Sequence, residues 1–251
     1  MPIWVDGVED GGIPGDDPGL TRGLNAFDTA RTYGDRPFRL PQHLDRLEAS
    51  AASMELPFPG RALLEAEISR ALADDVILRI TLTGGGHRVL DVKPIDPSRI
   101  GAPVTLARVG WPSMPGLPDT VKHGSRAGWA LSAKALGVTE ILLVRGGRVL
   151  EANRSSVFAV IGGVIVTPPL TGEQLPGVTR AALLQAGRAA GLPIEEAPLL
   201  ADADFQELYV SSTLKELAPV SRLDGETIGG GPLGARLHQA FRALVAEECG
   251  I

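Results

Sequence analysis

The chain has 251 residues, 44% of them hydrophobic, and 24 Lys and Arg against 30 Asp and Glu, a formal net charge of −6. That length suits one large domain or two small ones with ample material for a core. The acidic balance offers no electrostatic footprint for nucleic acid or an anionic membrane, so neither is expected as a partner.

Trp4-Val5 before Asp6-Gly7 predicts a short opening strand, and residues 8–20, rich in Gly, Pro and Asp, a loop. Asn25 to Thr32 reads as a strand, and Tyr33-Gly-Asp-Arg-Pro37 as a hairpin turn. From Pro41, apolar residues at 44, 47, 51 and 54 keep a helical period, with proline at the helix start. Arg61 to Ala73 predicts a second amphipathic helix, Asp75 to Thr83 a strand stopped by Gly84-Gly-Gly, and Pro103 to Val109 another strand. Residues 111–119 carry three prolines and are read as an interdomain loop. The expected division is therefore an N-terminal α/β domain over 1–110, the loop at 111–119, and a C-terminal α/β domain over 120–251.

Beyond the loop, a helix is expected over about 126–136, then strands at Glu140–Val144, Arg148–Leu150, Ser156–Ile161 and Val164–Thr167. An Ala-rich helix at Thr179–Ala190 stops at Gly191, Glu207 to Ser211 reads as a strand, and Leu233 to Glu247 closes the chain as a helix. Strands pooled in two clusters with helices outside indicate an α+β design. The opening Met1-Pro-Ile-Trp-Val has neither the basic nor the apolar region of a signal peptide, and no apolar run reaches membrane-spanning length, so a cytoplasmic location is expected. The single Cys249 rules out an internal disulfide and is expected as a frayed tail thiol. The four histidines (43, 87, 123, 238) lack metal spacing, and no metal is expected.

Three features carry chemistry. Only four lysines occur, at 93, 122, 134 and 215, which narrows the search for an amine nucleophile. Lys122 follows the proline loop and precedes a helix, where an amine can be desolvated without breaking a helix; Lys215, beside Glu216, is its rival. Glu151 stands between two apolar runs and faces either solvent or a site. Leu175-Pro-Gly-Val-Thr-Arg180 opens a helix whose unpaired N–H groups and positive dipole end suit a phosphate, unless Pro176 and Gly177 merely punctuate the chain. Ser211-Ser212-Thr213 could add hydroxyls to a phosphate cup or cap the following residues. A lysine, a carboxylate and a helix N-terminus are three parts that a pyridoxal 5'-phosphate (PLP) site needs. Gly84-Gly-Gly and Gly229-Gly-Gly lack the context of nucleotide loops, and no Gly-x-Ser-x-Gly elbow occurs.

The order of Phe27-Asp-Thr-Ala-Arg31, His43-Leu-Asp-Arg-Leu-Glu-Ala-Ser50, Val121-Lys122, Glu151-Ala-Asn-Arg-Ser-Ser-Val-Phe158, Thr167-Pro-Pro, Leu175-Pro-Gly-Val-Thr-Arg180 and Ser211-Ser-Thr-Leu-Lys-Glu-Leu-Ala-Pro-Val220 resembles the class IV, fold type IV, PLP-dependent family. That family includes branched-chain and D-amino-acid aminotransferases and 4-amino-4-deoxychorismate lyase, and the resemblance spans about residues 3 to 245. It implies a two-domain α+β fold with PLP at the domain interface of a homodimer. It also matches Lys122 to the lysine that bonds the cofactor and Glu151 to the partner of the pyridine nitrogen. Arg46, Val178, Thr179 and Thr213 match phosphate-binding positions, with Ser212 beside them.

The pattern departs from the branched-chain form at Ala127, five residues past the lysine, where that form carries Tyr. Lys122-His-Gly-Ser-Arg126 resembles the Lys-x-x-x-Arg of some aminodeoxychorismate lyases, as does Phe27-Asp-Thr-Ala-Arg31. A guanidinium suits a substrate with two carboxylates. The leading expectation is thus a lyase of folate-precursor synthesis that releases 4-aminobenzoate and pyruvate from a small amine substrate, with Thr29, Arg31 and Arg126 toward the substrate. The alternatives are a PLP-dependent aminotransferase of branched-chain or D-amino acids, and a non-catalytic PLP-binding protein. Ser211-Ser-Thr-Leu-Lys-Glu-Leu-Ala-Pro-Val220 also resembles the D-amino-acid aminotransferase segment.

Overall fold

A computed structural model describes residues 2–251. The chain divides into two compact units: the first runs to Ile95 and takes in Pro115–Arg126 and Glu248–Ile251, and the second comprises Asp96–Met114 and Ala127–Glu247. The α+β expectation holds in both.

The first unit contains β1 (Ile3–Val5), β2 (Val8–Glu9), a short α1 (Pro18–Thr21), β3 (Asn25–Tyr33), β4 (Arg36–Pro37), α2 (Leu40–Ser53), α3 (Arg61–Ala71), β5 (Val76–Thr83) and β6 (Arg88–Pro94). Its sheet has the order β2-β1-β6-β5-β3-β4. Strand alternation sorts β3 into two faces. Ala26, Asp28, Ala30 and Thr32 are fully buried and join Leu78, Ile80 and Leu82 of β5 on the face covered by α2 and α3. Phe27, Thr29 and Arg31 point the other way. β6 was not expected: Gly84-Gly-Gly is not a strand's end in a loop but a tight turn that returns the chain beside β5, with Thr81 opposite Val89.

Helix α2 carries two stripes at the i, i+3/i+4 spacing. Leu44, Leu47 and Ala51 are completely buried, as the period predicts. One position round, His43, Arg46 and Ser50 form a second stripe that is also buried, and its polar atoms face β3.

The second unit contains β7 (Val104–Gly110), α4 (Ala127–Leu136), β8 (Glu140–Arg145), β9 (Arg148–Ala152), β10 (Ser156–Ile161), β11 (Val164–Thr167), α5 (Val178–Ala189), β12 (Ile194–Glu196), β13 (Leu199–Leu200), β14 (Glu207–Ser212), β15 (Glu216–Leu223), β16 (Glu226–Thr227) and all but the last two residues of α6 (Pro232–Cys249). The strands form one sheet, β12-β11-β10-β14-β15-β7-β8-β9-β13, with β16 paired to β15. Its core includes Leu106, Leu142, Val157, Leu208, Val210 and Val220.

The boundary expected at 110 and 120 is corrected on two counts. β7 lies between β15 and β8, parallel to both, so it belongs to the second sheet. Pro115–Arg126, with Lys122, belongs to the first unit. Proline content marks where regular structure stops, but parallel pairing over more than 100 residues of sequence decides which sheet a strand joins. Cys249 is not frayed; it ends α6, is buried, and burial pushes its thiol up. No helix among the described residues is long and apolar enough to cross a membrane.

Candidate functional site

In the first unit, Lys122 sits on an irregular segment laid along the edge of β3 opposite β5. The Phe27 N–H donates to the Lys122 carbonyl (2.9 Å) and the Gly124 N–H to the Asn25 carbonyl (3.0 Å), and His123 forms a bridge with Ala26. The Lys122 N–H donates to Ser50 Oγ on α2 (3.1 Å). The approach is so close that a Cβ on Gly124 would fall 2.0 Å from Asn25 Oδ1, which only glycine avoids. The backbone of Lys122 is thus held from both sides while its side chain stays half-buried, with Nζ 5.1 Å from the Phe27 ring centroid.

The Arg126 guanidinium also lies 5.1 Å from that centroid, and Arg79 of β5 only 3.6 Å. Three cations around one ring suit the negative face of an aromatic quadrupole. Arg126 does not share a helix with Lys122, because α4 begins only at Ala127. Its Nε donates to the His123 carbonyl (2.8 Å). Burial, with Arg126 close by, pushes the His123 ring down to about 4.

Beneath this edge is a buried polar cluster that the sequence reading missed. The Asp28 carboxylate accepts from Arg46 Nε (2.8 Å) and Nη2 (2.9 Å), from His43 Nδ1 (2.7 Å) and from the Thr29 N–H (2.7 Å). Burial alone would raise the Asp28 carboxyl, but the Arg46 guanidinium and then His43 outweigh it and hold it far below the usual carboxylate range. Burial lowers the His43 ring, with Arg46 and Lys122 adding to this against the pull of Asp28. Since an ionised carboxylate only accepts, His43 Nδ1 must carry the proton of the bond to Asp28. Arg46 is thus a buried helix arginine. A visible signal existed: His43, Arg46 and Ser50 share a helix face, and Asp28 falls in phase with buried alanines.

Thr29 is half-buried on the same face of β3 as Phe27. Arg31 is 4% exposed, with its guanidinium 4.0 Å from the Tyr33 ring centroid.

In the second unit, Glu151 lies within β9, opposite Leu143 and beside a bulge at Leu143/Val144, a feature that re-aims side chains. It is half-buried, and Oε1 accepts from the Leu175 N–H (3.3 Å). This contact links Glu151 to the segment that opens α5. There Gly177 is the N-cap without a side-chain cap, and Val178 and Thr179 are buried in the first turn. A Cβ on Gly177 would fall 2.6 Å from Ser156 Oγ. Arg180 is 4% exposed and donates to the Pro168 carbonyl (2.7 Å) and Glu196 (2.7 Å), which ties Thr167-Pro-Pro to the helix start.

Ser212 and Thr213 are half-buried in a tight turn between β14 and β15, a strand not foreseen in the sequence. Of the other lysines, Lys215 is ion-paired with Glu140 (2.7 Å) and Lys93 with Asp91 (2.5 Å), while Lys134 is exposed on α4.

A family model for amino-transferase class IV matches residues 25–223. A D-alanine aminotransferase of Listeria monocytogenes is 28% identical over 96% of this chain and 94% of its own length. The branched-chain-amino-acid aminotransferase of Escherichia coli is 27% identical over 98% and 93%. The solved PLP-bound form of a hypothetical aminotransferase from Mycobacterium tuberculosis superposes with a TM-score of 0.85 at 26% identity, covering 99% of this chain and 100% of that one. The class IV family is PLP-dependent, and PLP is the cofactor that the order of motifs implied. The match takes in strands of both sheets and every segment in which the lysine, the carboxylate and the hydroxyl turn were found, so the chain belongs to the class IV aminotransferase family.

Proposed function

We propose that the protein is an aminotransferase that moves the amino group of a small amino acid to a 2-oxo acid. The named relatives, aligned over more than nine-tenths of both lengths, favour amino transfer over the lyase reading. The observation that carries the proposal is the double clamp on the Lys122 backbone, from Ser50 Oγ and the Phe27 N–H, which fixes the root of a long flexible amine.

The residues fit PLP. The first turn of α5 has no side-chain cap, so its leading N–H groups suit a phosphate. Thr179, Ser212 and Thr213 bring hydroxyls, Val178 a backbone N–H, and Arg46, fixed by Asp28, a cation. When bound, PLP would supply an electron sink for the pair released when a bond at the substrate Cα breaks. Glu151 holds a proton at the pyridine nitrogen. Lys122 holds the cofactor and moves the proton at the substrate Cα. Thr29 and Arg31 are assigned to the substrate side of β3.

A second reading, 4-amino-4-deoxychorismate lyase, rests on Arg126, whose guanidinium shares the Phe27 ring with Lys122 Nζ. A fork donor beside the amine suits a second carboxylate. One panel separates the readings: amino transfer from D-alanine and from branched-chain L-amino acids to 2-oxoglutarate, beside pyruvate release from aminodeoxychorismate. We expect transfer that requires the oxo acid. Pyruvate release from aminodeoxychorismate without any acceptor, and no transfer, would overturn the proposal. Borohydride reduction and peptide mapping should label Lys122; a label on Lys215 or Lys93 would refute the assignment.

A further inference from the structure

Glu140 opens β8 and is completely buried. Its Oε1 accepts from Ser155 Oγ (3.0 Å) and is paired with Lys215 Nζ (2.7 Å), and its Oε2 accepts from the Arg154 N–H (3.1 Å). Two of these donors belong to the Ala152–Ser155 turn, which directly follows Glu151 and is closed by the Ser155 N–H on the Ala152 carbonyl (3.1 Å). The third belongs to the turn that carries Ser212 and Thr213, closed by the Lys215 N–H on the Ser212 carbonyl (3.2 Å). One buried carboxylate therefore joins the turn behind Glu151 to the turn bearing the hydroxyls.

The hydroxyl turn is pinned on its other flank as well. The Gly101 N–H donates to the Lys215 carbonyl (3.0 Å). Glu216, fully buried, is paired with Arg242 and with His238 Nε2 (2.7 Å) of α6. Glu216 adopts φ 56, a left-handed conformation that a non-glycine residue holds only when its surroundings fix it. Four contacts, from Glu140, Gly101, His238 and Arg242, thus anchor one short turn.

We propose that Glu140 and Lys215 are positioning residues, whose ion pair fixes the Ser212–Thr213 turn so that its hydroxyls meet the cofactor phosphate without further ordering. This rests on the reading of Ser212 and Thr213 given above. Neither residue touches the reacting atoms. Their effect is confined to how tightly the phosphate end is held, because an ordered donor spares the ordering cost on binding.

The test titrates PLP, and separately pyridoxal, which lacks the phosphate, into the apo-protein and follows absorbance and the 31P resonance of bound PLP. Lys215→Met keeps the apolar stem and removes the charge. It should weaken PLP on the order of tenfold, the worth of one ordered hydrogen bond to a charged group, shift the 31P resonance, and leave pyridoxal affinity within about twofold, well inside the tenfold that one such bond is worth. Glu140→Gln should do the same, the pair of changes together should cost no more than the worse single change, and Lys215→Arg should recover part of the loss. Glu140→Asp, a milder change if the others fold poorly, should move PLP affinity in the same direction. Equal losses for PLP and pyridoxal, or unchanged PLP affinity in both Lys215→Met and Glu140→Asp, would overturn the proposal. Thr213→Ala separates the two failures. If it weakens PLP while Lys215→Met does not, the positioning role falls and the reading of the turn stands. If neither weakens PLP, both fall.

Discussion

Replacing Asp28 by Asn removes the carboxylate on which Arg46 Nε, Arg46 Nη2 and His43 Nδ1 converge. Asp28 is 0% exposed and Arg46 9%, so water cannot take over these bonds. Breaking a buried ion pair at one end costs about 3–5 kcal/mol, because the other charge stays buried without its counter-charge. An amide oxygen can keep one of the two guanidinium bonds, which places Asp28→Asn at the low end, about 3 kcal/mol. At roughly 2–4 °C per kcal/mol for a chain of this size, Tm should fall by about 6–12 °C. Differential scanning calorimetry of the apo-protein measures this, and PLP titration measures the accompanying change in cofactor affinity. Removing both ends with Asp28→Asn and Arg46→Met together should restore part of the stability but not the cofactor affinity, since a neutral pair strands no charge. The wild-type carboxylate is held below its ordinary value, so its stabilisation is present above about pH 3.8 and is lost as pH falls through the folded value. The variant should lack that part of the acid limb. A Tm unchanged in Asp28→Asn, or a double variant less stable than the single one, would refute this account of the cluster.

Glu151→Gln should still bind PLP yet lose most turnover, because an amide does not hold the pyridine nitrogen protonated; full activity would show that the carboxylate has no such role. Arg126→Ala should leave amino transfer nearly unchanged while costing any aminodeoxychorismate cleavage on the order of 2–4 kcal/mol of transition-state binding, and steady-state kinetics on both substrates checks it. His123 is held neutral down to about 4 against an ordinary 6.5, so the folded state binds fewer protons there than the unfolded chain. Its stabilisation is complete above pH 6.5 and is lost as pH falls to about 4; His123→Gln should remove about 1–2 kcal/mol of that pH dependence after allowance for solvent screening, read as Tm against pH. Sedimentation at assay concentration should find a homodimer, and an active monomer would contradict the family resemblance.

Much of the fold is legible in the sequence because its signals are local. Alternation or short apolar runs place β3, β5, β10 and β14, helical periodicity places α2 and α3, Ala-rich composition places α5, and Gly191, with φ 64, ends α5 where a left-handed residue is needed. Lys122 and Glu151 are legible for a different reason: few lysines occur, and the motif order is specific. The strands β6 and β15 were not, because each contains proline or charge that reads as loop until a neighbouring strand pairs with it.

Composition and chain order establish which residue types the chemistry can draw on and in what order they are presented. Tertiary structure alone decided their environments. Asp28 is an unremarkable acid in a strand until β3 turns it toward α2, where burial makes its charge tolerable only with Arg46 and His43. Lys215 rivals Lys122 by residue type, and the fold sets it 2.7 Å from the buried Glu140. β7 belongs to the second sheet because its backbone groups find partners there, on β15 and β8. Propensity and patterning act over a few residues; burial, charge pairing and parallel strand pairing depend on which distant segments meet, and no local window of sequence contains that information.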